Sequence, residues 1–390
     1  MNELRTFDDI QVARPKLAAS YLQLLRAQPG RPIALFARRR VGKTHFLDYD
    51  LTPAARDAEM LPVYADVWLH RAEPLLAIVH ALEEALDDVA VPPTRTGKVA
   101  KTTVKGVAVL GSSLQFGDEP SRRPLPDAPE LRLDALVPRL AAAAGKPVLL
   151  MLDEIQALGE SETGKASIAT LRAVFQKHKK VLFGIFTGSS QEALSAMIVG
   201  AGAPMYQFAQ MIDFPYLDET YLQLLARHFS KVHPGKHLDM QQMAVTFDHI
   251  SCKPALMKDI VKAMSAEGVT DFQFGLNAFI RDEGRAAGWR SLWNSLDEVQ
   301  QLTLVALVCK LAPMSKDTLA RMNQARTGSS TVTIAKVRTA LTNLRKAGIL
   351  MRVGTEFIVE DALFADHIID MKPFSGLPVA PESVKLGKKS

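Results

Sequence analysis

The segment Phe36–Leu47, "FARRRVGKTHFL", contains the residue types that bind phosphate groups. Gly42, Lys43 and Thr44 match the end of the pattern G-x-x-x-x-G-K-[ST], in which backbone N–H groups and a helix N-terminus surround nucleotide phosphates. The lysine neutralises phosphate oxygens and the hydroxyl coordinates Mg²⁺. Ala37 stands at the first glycine position, where alanine is compatible with the turn if its φ stays negative. This segment alone leaves two interpretations open, a nucleotide site and a basic turn that contains GKT by chance.

A second candidate segment, "VLLMLDEIQ" (148–156), is an apolar run that ends in Asp153 and Glu154. Taken alone, it is more typical of an ordinary buried strand followed by an acidic helix cap. Together with a GKT loop on another predicted parallel strand, it indicates a nucleotide site. Asp153 is then expected to hold Mg²⁺, and Glu154 to polarise the attacking water.

A third polar group, Thr187-Gly188-Ser189-Ser190, follows the apolar run "VLFGIF". ATPases with this fold place a polar residue between the two motifs, where it can contact the γ-phosphate or the water. Ser189 is the first choice for this role and Thr187 the second. A helix N-cap explains Ser189 or Ser190 equally well.

Apolar runs typical of strands alternate with helical patterns through the first half of the chain. The strand candidates are residues 32–37, 61–69, 147–154 and 181–190, and the helix candidates are residues 43–52, 73–89, 129–144 and 165–179. This alternation predicts an α/β fold with a parallel sheet that helices cover on both faces. Residues 90–127 are rich in Pro, Gly and basic residues, which indicates an insertion, expected to be a hairpin.

The second half of the chain lacks that alternation and has mainly helical patterns. Residues 296–370 carry three helix candidates followed by the short runs "ILMRV" and "EFIVE", which is the winged-helix pattern. The predicted domains are a core at 1–215 with the insertion at 90–127, a helical lid at 216–290, a winged helix at 291–370 and a disordered tail at 371–390.

Four segments together resemble the archaeal-type ATPase family, which belongs with the AAA+ initiator and STAND P-loop NTPases. They are "FARRRVGKTHFL", "AAAAGKPVLLMLDEIQAL", "KVLFGIFTGSSQEALSAM" and "PMYQFAQMIDFPYLDETY", and the resemblance covers roughly residues 30–265. It implies that ATP is the nucleotide and that Lys43 and Thr44 bind phosphate and Mg²⁺. It further implies that Asp153 binds Mg²⁺, Glu154 is the catalytic base and Ser189 is the sensor.

The resemblance also concerns the surroundings of the nucleotide. The expected nucleotide-binding residues are Ala37, Arg40, Val41, Gly42, Lys43, Thr44, His45 and Pro254. Pro254 matches a Gly-x-Pro segment that lies near the base in STAND-type proteins, with Cys252 in place of the glycine. A plain helix start with proline in its first turn is the other interpretation. Phe208 stands near a position where such relatives often carry an arginine, so hydrolysis is expected to be slow unless a partner supplies one.

Basic residues outside the GKT motif have two interpretations each. Arg38, Arg39 and Arg40 are expected to be solvated, or one of them to pack against the Asp/Glu strand end. The clusters at 98–105 and 121–123 are either solvated or in contact with nucleic acid. In the predicted winged helix, the candidate DNA-binding residues are Lys336, Arg338, Arg345, Lys346 and Arg352. Because winged helices also dock proteins, a protein partner stays open.

Composition sets wider limits. The chain has 390 residues, a net charge of +5 and a pI near 9.1, which allow an anionic partner without requiring one. Two cysteines in apolar segments predict core thiols in a reducing compartment. An apolar signal core and a membrane-spanning run are both absent from the sequence, which favours a cytoplasmic protein without a membrane partner.

The sequence thus predicts a Mg²⁺-dependent ATPase whose conformational switch acts on DNA or in a DNA-linked assembly. The alternative is a slow or non-hydrolysing STAND-like switch that binds a protein partner and oligomerises.

Overall fold

The computed structural model describes residues 6–70, 72–90, 124–159, 162–189, 191–199, 202–280, 282–353, 355–374 and 377. Within these ranges, the first part of the chain is a five-stranded parallel sheet covered by helices, which confirms the predicted P-loop NTPase fold class. Residues 91–123, which hold most of the predicted insertion and its basic clusters, lie outside the described residues.

The sheet and its helices contain most of the site residues. The strands are β1 (Ile33–Phe36), β2 (Leu61–Asp66), β3 (Val148–Asp153), β4 (Leu182–Gly188) and β5 (Gln210–Asp213). The helices are α1 (Pro15–Ala27), α2 (Lys43–Phe46), α3 (Thr52–Asp57), α4 (Pro74–Ala90), α5 (Pro129–Ala144), α6 (Glu162–Lys177) and α7 (Gln191–Ile198). A wider helical turn, Leu47–Leu51, joins α2 to α3.

The strands lie in the order β2-β3-β4-β1-β5, so β4 separates the loop-bearing β1 from the acidic β3. Successive side chains of β3 belong to different cores, because side chains of a strand alternate between its two faces. Val148, Leu150 and Leu152 pack with α4–α7, whereas Leu149 and Met151 pack with α1–α3. Burial on both faces explains why this strand is a continuous apolar run in the sequence.

The structure differs from the sequence prediction at three places in this part. β2 ends at Asp66 and is followed by a tight 3₁₀ turn, Val67–His70, rather than continuing to residue 69. The edge strand β5 and the first helix α1 were not predicted. β5 has four residues, none of them buried, so it lacks the apolar run that marks a central strand.

The second half of the chain is helical apart from one hairpin. The middle helices are α8 (Glu219–Val232), α9 (Met240–His249), α10 (Pro254–Glu267) and α11 (Phe272–Ile280), and α12 (Glu283–Asn294) follows them. The C-terminal unit contains α13 (Glu298–Val308), α14 (Lys316–Ala325), α15 (Ile334–Lys346), β6 (Leu350–Val353), β7 (Glu356–Val359) and α16 (Ala362–Met371). None of the helices among the described residues is long and apolar enough to cross a membrane.

The middle helices and the C-terminal unit each have an apolar core, and Leu363 of α16 packs in the core of the middle helices. In the C-terminal unit, three helices precede an antiparallel β6–β7 pair, which is the element order that the winged-helix prediction requires. The winged-helix assignment and the domain boundaries stay predictions. At the start of the predicted disordered tail, Phe374 and the buried Leu377 pack in the C-terminal core, and residues 378–390 lie outside the described residues.

Candidate functional site

The phosphate-binding loop connects β1 to α2 and holds its own lysine. Gly42, at the N-terminus of α2, has a φ of +92°, which glycine adopts without the steric cost of a Cβ. The Lys43 side chain is buried, and its Nζ donates hydrogen bonds to the carbonyl oxygens of Ala37 (2.8 Å) and Arg38 (3.0 Å). Ala37 is buried and its φ is not positive, so an alanine is compatible with this turn.

The charge of Lys43 has no carboxylate among its described hydrogen-bond partners. Burial lowers the pKa of Lys43, while the carboxylates of Glu154 and Asp153 raise it and the charge of Arg39 lowers it. Its described hydrogen-bond acceptors are neutral carbonyls, and a buried cation favours an anionic partner. The loop is therefore chemically suited to an anion such as a phosphate group.

The carboxylate of Asp153 is the centre of a set of oxygen atoms at the end of β3. Thr44 Oγ1 donates to Asp153 Oδ2 at 2.7 Å, and Tyr64 OH donates to the same oxygen at 3.2 Å. Thr187 Oγ1 donates to Oδ1. Burial and the neighbouring Asp153 raise the pKa of Tyr64, which keeps the phenol a donor. Because Mg²⁺ prefers oxygen ligands and usually takes only one or two from the protein, Thr44 and Asp153 fit this ion.

The neighbouring Glu154 is held by side chains from β4 and from the turn after β3. Its φ of +54° is unusual for a residue with a side chain and places it in a strained backbone conformation. Ser189 Oγ donates to Glu154 Oε2 at 2.7 Å, and Gln156 Nε2 donates to the same oxygen. Arg39 Nε donates to Ser189 Oγ at 3.3 Å. A chain of polar contacts therefore runs from the loop to Glu154.

Gly188 allows β4 to approach this polar chain. A Cβ built at Gly188 lies 2.0 Å from Leu194 Cδ1 and 2.8 Å from Gln156 Oε1, which are distances that real Cβ atoms do not show. The glycine in Thr187-Gly188-Ser189 is thus required by close packing and not by its φ. Thr187 and Ser189 use their hydroxyls on different carboxylates, Asp153 and Glu154 respectively.

The remaining predicted nucleotide-binding residues lie around this centre in different surroundings. Val41 is buried among the apolar residues packed with α1–α3. His45 stacks on Tyr49, with 4.4 Å between the ring centroids. Arg40 is exposed and has a φ of +64°. Their contact with a nucleotide stays a prediction.

The segment before α10 contacts the loop through one arginine. Arg38 Nη1 donates to Ser251 Oγ at 3.0 Å. Ser251 and Cys252 have φ values of +59° and +52°, the left-handed conformation that glycine adopts most easily. Pro254 begins α10, and its carbonyl oxygen accepts a 2.6 Å hydrogen bond from Tyr221 OH of α8. Both interpretations of Pro254, a base contact and a helix start, are compatible with this geometry.

Phe208 belongs to the apolar core and not to the polar site. It is 1% exposed and lies 5.7 Å from the Phe175 ring and 6.4 Å from the Phe186 ring, measured between centroids. This position therefore offers no cation to the site.

The contacts of Tyr64, Gln156 and Arg39 were not identified from the sequence. Gln156 is the last residue of the D-E-x-Q motif, so its position in that motif was an available signal. For Tyr64, the only signal in the sequence was its place in the alternating pattern of the β2 strand. Arg39 was expected to be solvated or to pack against the Asp/Glu strand end, and in the structure its side chain is exposed and bonds to Ser189, which follows β4.

The C-terminal unit approaches the loop on the side of the arginines. Lys253 Nζ donates to the carbonyl oxygen of Glu360 at 3.1 Å. A cavity of about 240 Å³ separates the loop from this unit, and its lining includes Arg39, Arg40, Lys253, Gly348, Glu360 and Asp361.

The predicted DNA-binding side chains belong to α15 and β6 of the C-terminal unit. Lys336, Arg338, Lys346 and Arg352 are exposed, and Arg345 is half-buried. Lys336 Nζ contacts Ser330 Oγ and the Thr331 carbonyl oxygen.

Comparison with known proteins supports the fold. The sequence matches no protein-family model and no curated protein. The structure resembles a Walker-type ATPase of Pyrococcus abyssi, with a TM-score of 0.56 and 16% identity over 93% of this chain and 99% of that chain. It also resembles the ORC2 protein of Aeropyrum pernix in ADPNP–ADP complexes, with a TM-score of 0.53 and 15% identity over 95% of this chain and 99% of that chain. The fold is thus that of archaeal Walker-type and ORC ATPases over nearly the whole length, as the motifs predicted.

Proposed function

We propose that this protein binds ATP with Mg²⁺ at the loop between β1 and α2, hydrolyses it, and couples the nucleotide state to a DNA-binding C-terminal unit. The observation that carries the proposal is the convergence of Thr44, Asp153, Thr187, Ser189 and Glu154 beside the buried Lys43. These side chains come from the loop and from two neighbouring strands, so the sheet brings them together. The similar folds of a Walker-type ATPase and of a protein solved with ADPNP and ADP support the choice of an adenine nucleotide.

Each residue has a distinct role in this proposal. Lys43 neutralises phosphate oxygens from inside the loop, and Thr44 and Asp153 hold Mg²⁺. Bound Mg²⁺ supplies positive charge that offsets the charge of the phosphates. Glu154 accepts the proton of the attacking water, while Ser189 and Gln156 hold its carboxylate in place.

The coupling follows from contacts between the loop, the middle helices and the C-terminal unit. Arg38 bonds to Ser251 before α10, and two residues later Lys253 bonds to the Glu360 carbonyl of the C-terminal unit. A shift of the loop arginines on nucleotide binding is therefore transmitted to both parts. Small shifts at a nucleotide site are amplified in this way where packed units have two discrete arrangements.

For the C-terminal unit we propose contact with DNA phosphates rather than with bases. The cations of α15 and β6 are suited to phosphates. The hydroxyls of Thr339 and Thr342 already donate to the helix carbonyls of Ala335 (3.1 Å) and Arg338 (3.0 Å). Few polar side chains of α15 are thus available to read base edges, and binding with little sequence preference is expected.

The nucleotide half is tested by measuring ATP binding and turnover with purified full-length protein. Lys43→Ala is expected to weaken ATP binding about 10- to 100-fold, since it removes hydrogen bonds to charged groups. Glu154→Gln is expected to bind ATP normally but to turn over about 10²- to 10⁴-fold more slowly. Lys180→Ala is the control, because Lys180 is an exposed lysine before β4, at the end of the sheet away from the loop. A wild type that binds no ATP contradicts the proposal.

The DNA half is tested by fluorescence anisotropy with a labelled duplex at several salt concentrations, with and without ATP. The double variant Lys336→Ala/Arg338→Ala is expected to bind all duplexes more weakly and to lower the salt slope by about 1 for each lost phosphate contact. Lys180→Ala again removes one positive charge elsewhere and is expected to leave the slope unchanged. DNA binding that is absent, or equally strong in the double variant, contradicts the assignment of this surface.

A second candidate is a nucleotide switch that hydrolyses slowly or not at all and assembles with a protein partner or with its own copies. The burial of Phe208 favours it, because the chain offers no arginine to the site at that position. Fast, steady turnover by the purified wild type without a partner excludes this candidate. ATP binding without turnover, together with an ATP-dependent rise in molar mass by light scattering, supports it.

A further inference from the structure

We propose that Arg39, a side chain of the phosphate-binding loop itself, detects the γ-phosphate and so determines the preference of the site for ATP over ADP. This inference rests on the proposed ATP site. In related phosphoryl-transfer sites, the arginine that contacts the terminal phosphate comes from a partner protein or from another segment of the chain. Here the phosphate-binding loop itself supplies it.

The position of Arg39 is the first argument. Its Nε donates to Ser189 Oγ, and Ser189 donates to the Glu154 carboxylate. In the proposed reaction Glu154 activates the water that attacks the terminal phosphate, so the terminal phosphate must lie near Glu154 and its partner Ser189. Arg39 is hydrogen-bonded to Ser189, so it lies beside the expected position of the γ-phosphate, the group that ATP has and ADP lacks.

The charges around the loop are the second argument. Lys43 is buried inside the loop, whereas Arg39, a second cation of the same loop, has an exposed side chain. Two neighbouring cations repel each other until an anion lies between them. The additional negative charge of a triphosphate relieves that repulsion more than a diphosphate does.

The present contacts of Arg39 are weaker than those that a phosphate offers. Its hydrogen-bond acceptor, Ser189 Oγ, is a neutral hydroxyl, and its guanidinium lies 5.3 Å from the centroid of the half-buried Trp68 ring. Arginine and phosphate form two parallel hydrogen bonds between opposite charges, whereas the Ser189 hydroxyl offers Arg39 a single uncharged acceptor. A phosphate oxygen is therefore a better hydrogen-bond acceptor for Arg39 than the Ser189 hydroxyl that it replaces.

Arg39 also has room to make this exchange. Its side chain is exposed, and it lines the cavity between the loop and the C-terminal unit. A Cβ at Gly348 in that unit would lie 3.4 Å from Arg39 Nη1, so the guanidinium is in van der Waals reach of the C-terminal unit. Movement of Arg39 toward a phosphate removes this contact and the contact with Trp68.

The other two loop arginines have different surroundings. Arg38 bonds to Ser251 before α10, and Arg40 lines the cavity beside Lys253. Arg38 therefore provides a matched control, since it carries the same charge in the same loop but contacts the middle helices instead of the sensor serine.

The test compares the affinities for a non-hydrolysable ATP analogue and for ADP, both with Mg²⁺, by isothermal titration calorimetry on the full chain. Arg39→Gln is expected to lower the ratio of ATP-analogue to ADP affinity about 10- to 100-fold, with ADP affinity nearly unchanged. Arg38→Gln is expected to change both affinities together and to leave the ratio unchanged. An equal fall of the ratio in both variants, or an unchanged ratio in Arg39→Gln, overturns the inference.

Tryptophan fluorescence provides a second readout that does not depend on affinity. At saturation, the ATP analogue is expected to change the emission of the wild type more than ADP does, because Arg39 leaves the Trp68 ring. This difference is expected to vanish in Trp68→Phe and in Arg39→Gln. A difference that persists in both variants overturns the inference.

These outcomes separate the inference from the proposed function. If Lys43→Ala loses both nucleotides while Arg39→Gln keeps the wild-type ratio, the ATP site stands and the role of Arg39 fails. If the wild type binds neither nucleotide, the proposed function fails and the inference fails with it.

Discussion

The two halves of the phosphate-binding loop have opposite surroundings. The inner half, Gly42–Thr44, is bonded to the core, with Lys43 Nζ on loop carbonyls and Thr44 on Asp153. In the outer half, Arg38–Arg40, Arg38 donates a hydrogen bond to Ser251 and Arg39 donates one to Ser189. Arg39 and Arg40 also line the cavity beside the C-terminal unit. One short loop thus combines a buried lysine with arginine contacts to the parts of the protein that would respond to the nucleotide. Because buried packing contributes more free energy than exposed polar contacts, changes around the inner half should have the larger effects.

The largest effect on stability is expected at Gly188, whose packing supports the inner half. Gly188→Ala places a methyl group against Leu194 and Gln156, so it is expected to lower the free energy of unfolding by about 1–3 kcal/mol. Urea denaturation followed by circular dichroism measures this change. Gly202→Ala is the control, since no heavy atom lies within 4 Å of a Cβ there and its change should stay within about 0.5 kcal/mol. Equal stability of the two variants would show that β4 can move away from Leu194.

A smaller effect is expected for the contact between the outer half and the middle helices. A double-mutant cycle with Arg38→Ala and Ser251→Ala should give a coupling energy of about 0.5–1.5 kcal/mol in the free energy of unfolding, as for a single hydrogen bond. The same cycle with Arg40→Ala and Ser251→Ala should give a value near zero. A near-zero coupling in the first cycle would mean that the loop and the segment before α10 are not linked in solution.

The smallest effect is expected where the middle helices meet the C-terminal unit. His249 Nε2 lies 2.8 Å from Asp366 Oδ2 of α16, and this hydrogen bond raises the pKa of His249 above its ordinary value of 6.5. Because the folded-state pKa is above the unfolded one, the stabilisation is complete below pH 6.5 and is lost as the pH rises through the raised pKa. The contribution is expected to be at most about 1 kcal/mol, since the pair is partly exposed.

The measurement is the difference in unfolding free energy between wild type and His249→Gln from pH 6 upward. Only the difference between wild type and variant isolates this pair. Burial lowers the pKa of His228 and of His367, so these two histidines make the unfolding free energy rise with pH, opposite to the effect of His249. His80→Gln, which changes an exposed histidine on α4, is the control. If wild type and His249→Gln lose stability in parallel as the pH rises, the pair does not join the two units.

The sequence predicted the elements that have strong local patterns. β3 is an apolar run because both of its faces are buried, and α5 was predicted at 129–144, as observed. Lys43, Thr44, Asp153, Glu154 and Ser189 were identified because each lies in a short motif at or just after the end of a predicted strand, and the structure brings them together. β5 was missed because a short edge strand needs no apolar run, and it depends on pairing with β1.

The alternation of strands and helices, and the residue types at the ends of β1, β3 and β4, follow from the amino-acid sequence alone. These follow from burial periodicity and from motif chemistry, which depend on residues close together in the chain. Three features depend on the folded arrangement of the chain: β4 lies between β1 and β3, Tyr64 shares Asp153 with Thr44, and Arg39 contacts Ser189. Those contacts join residues far apart in the chain, and their distances depend on how the strands pair and on where packing allows a backbone to come close, as at Gly188.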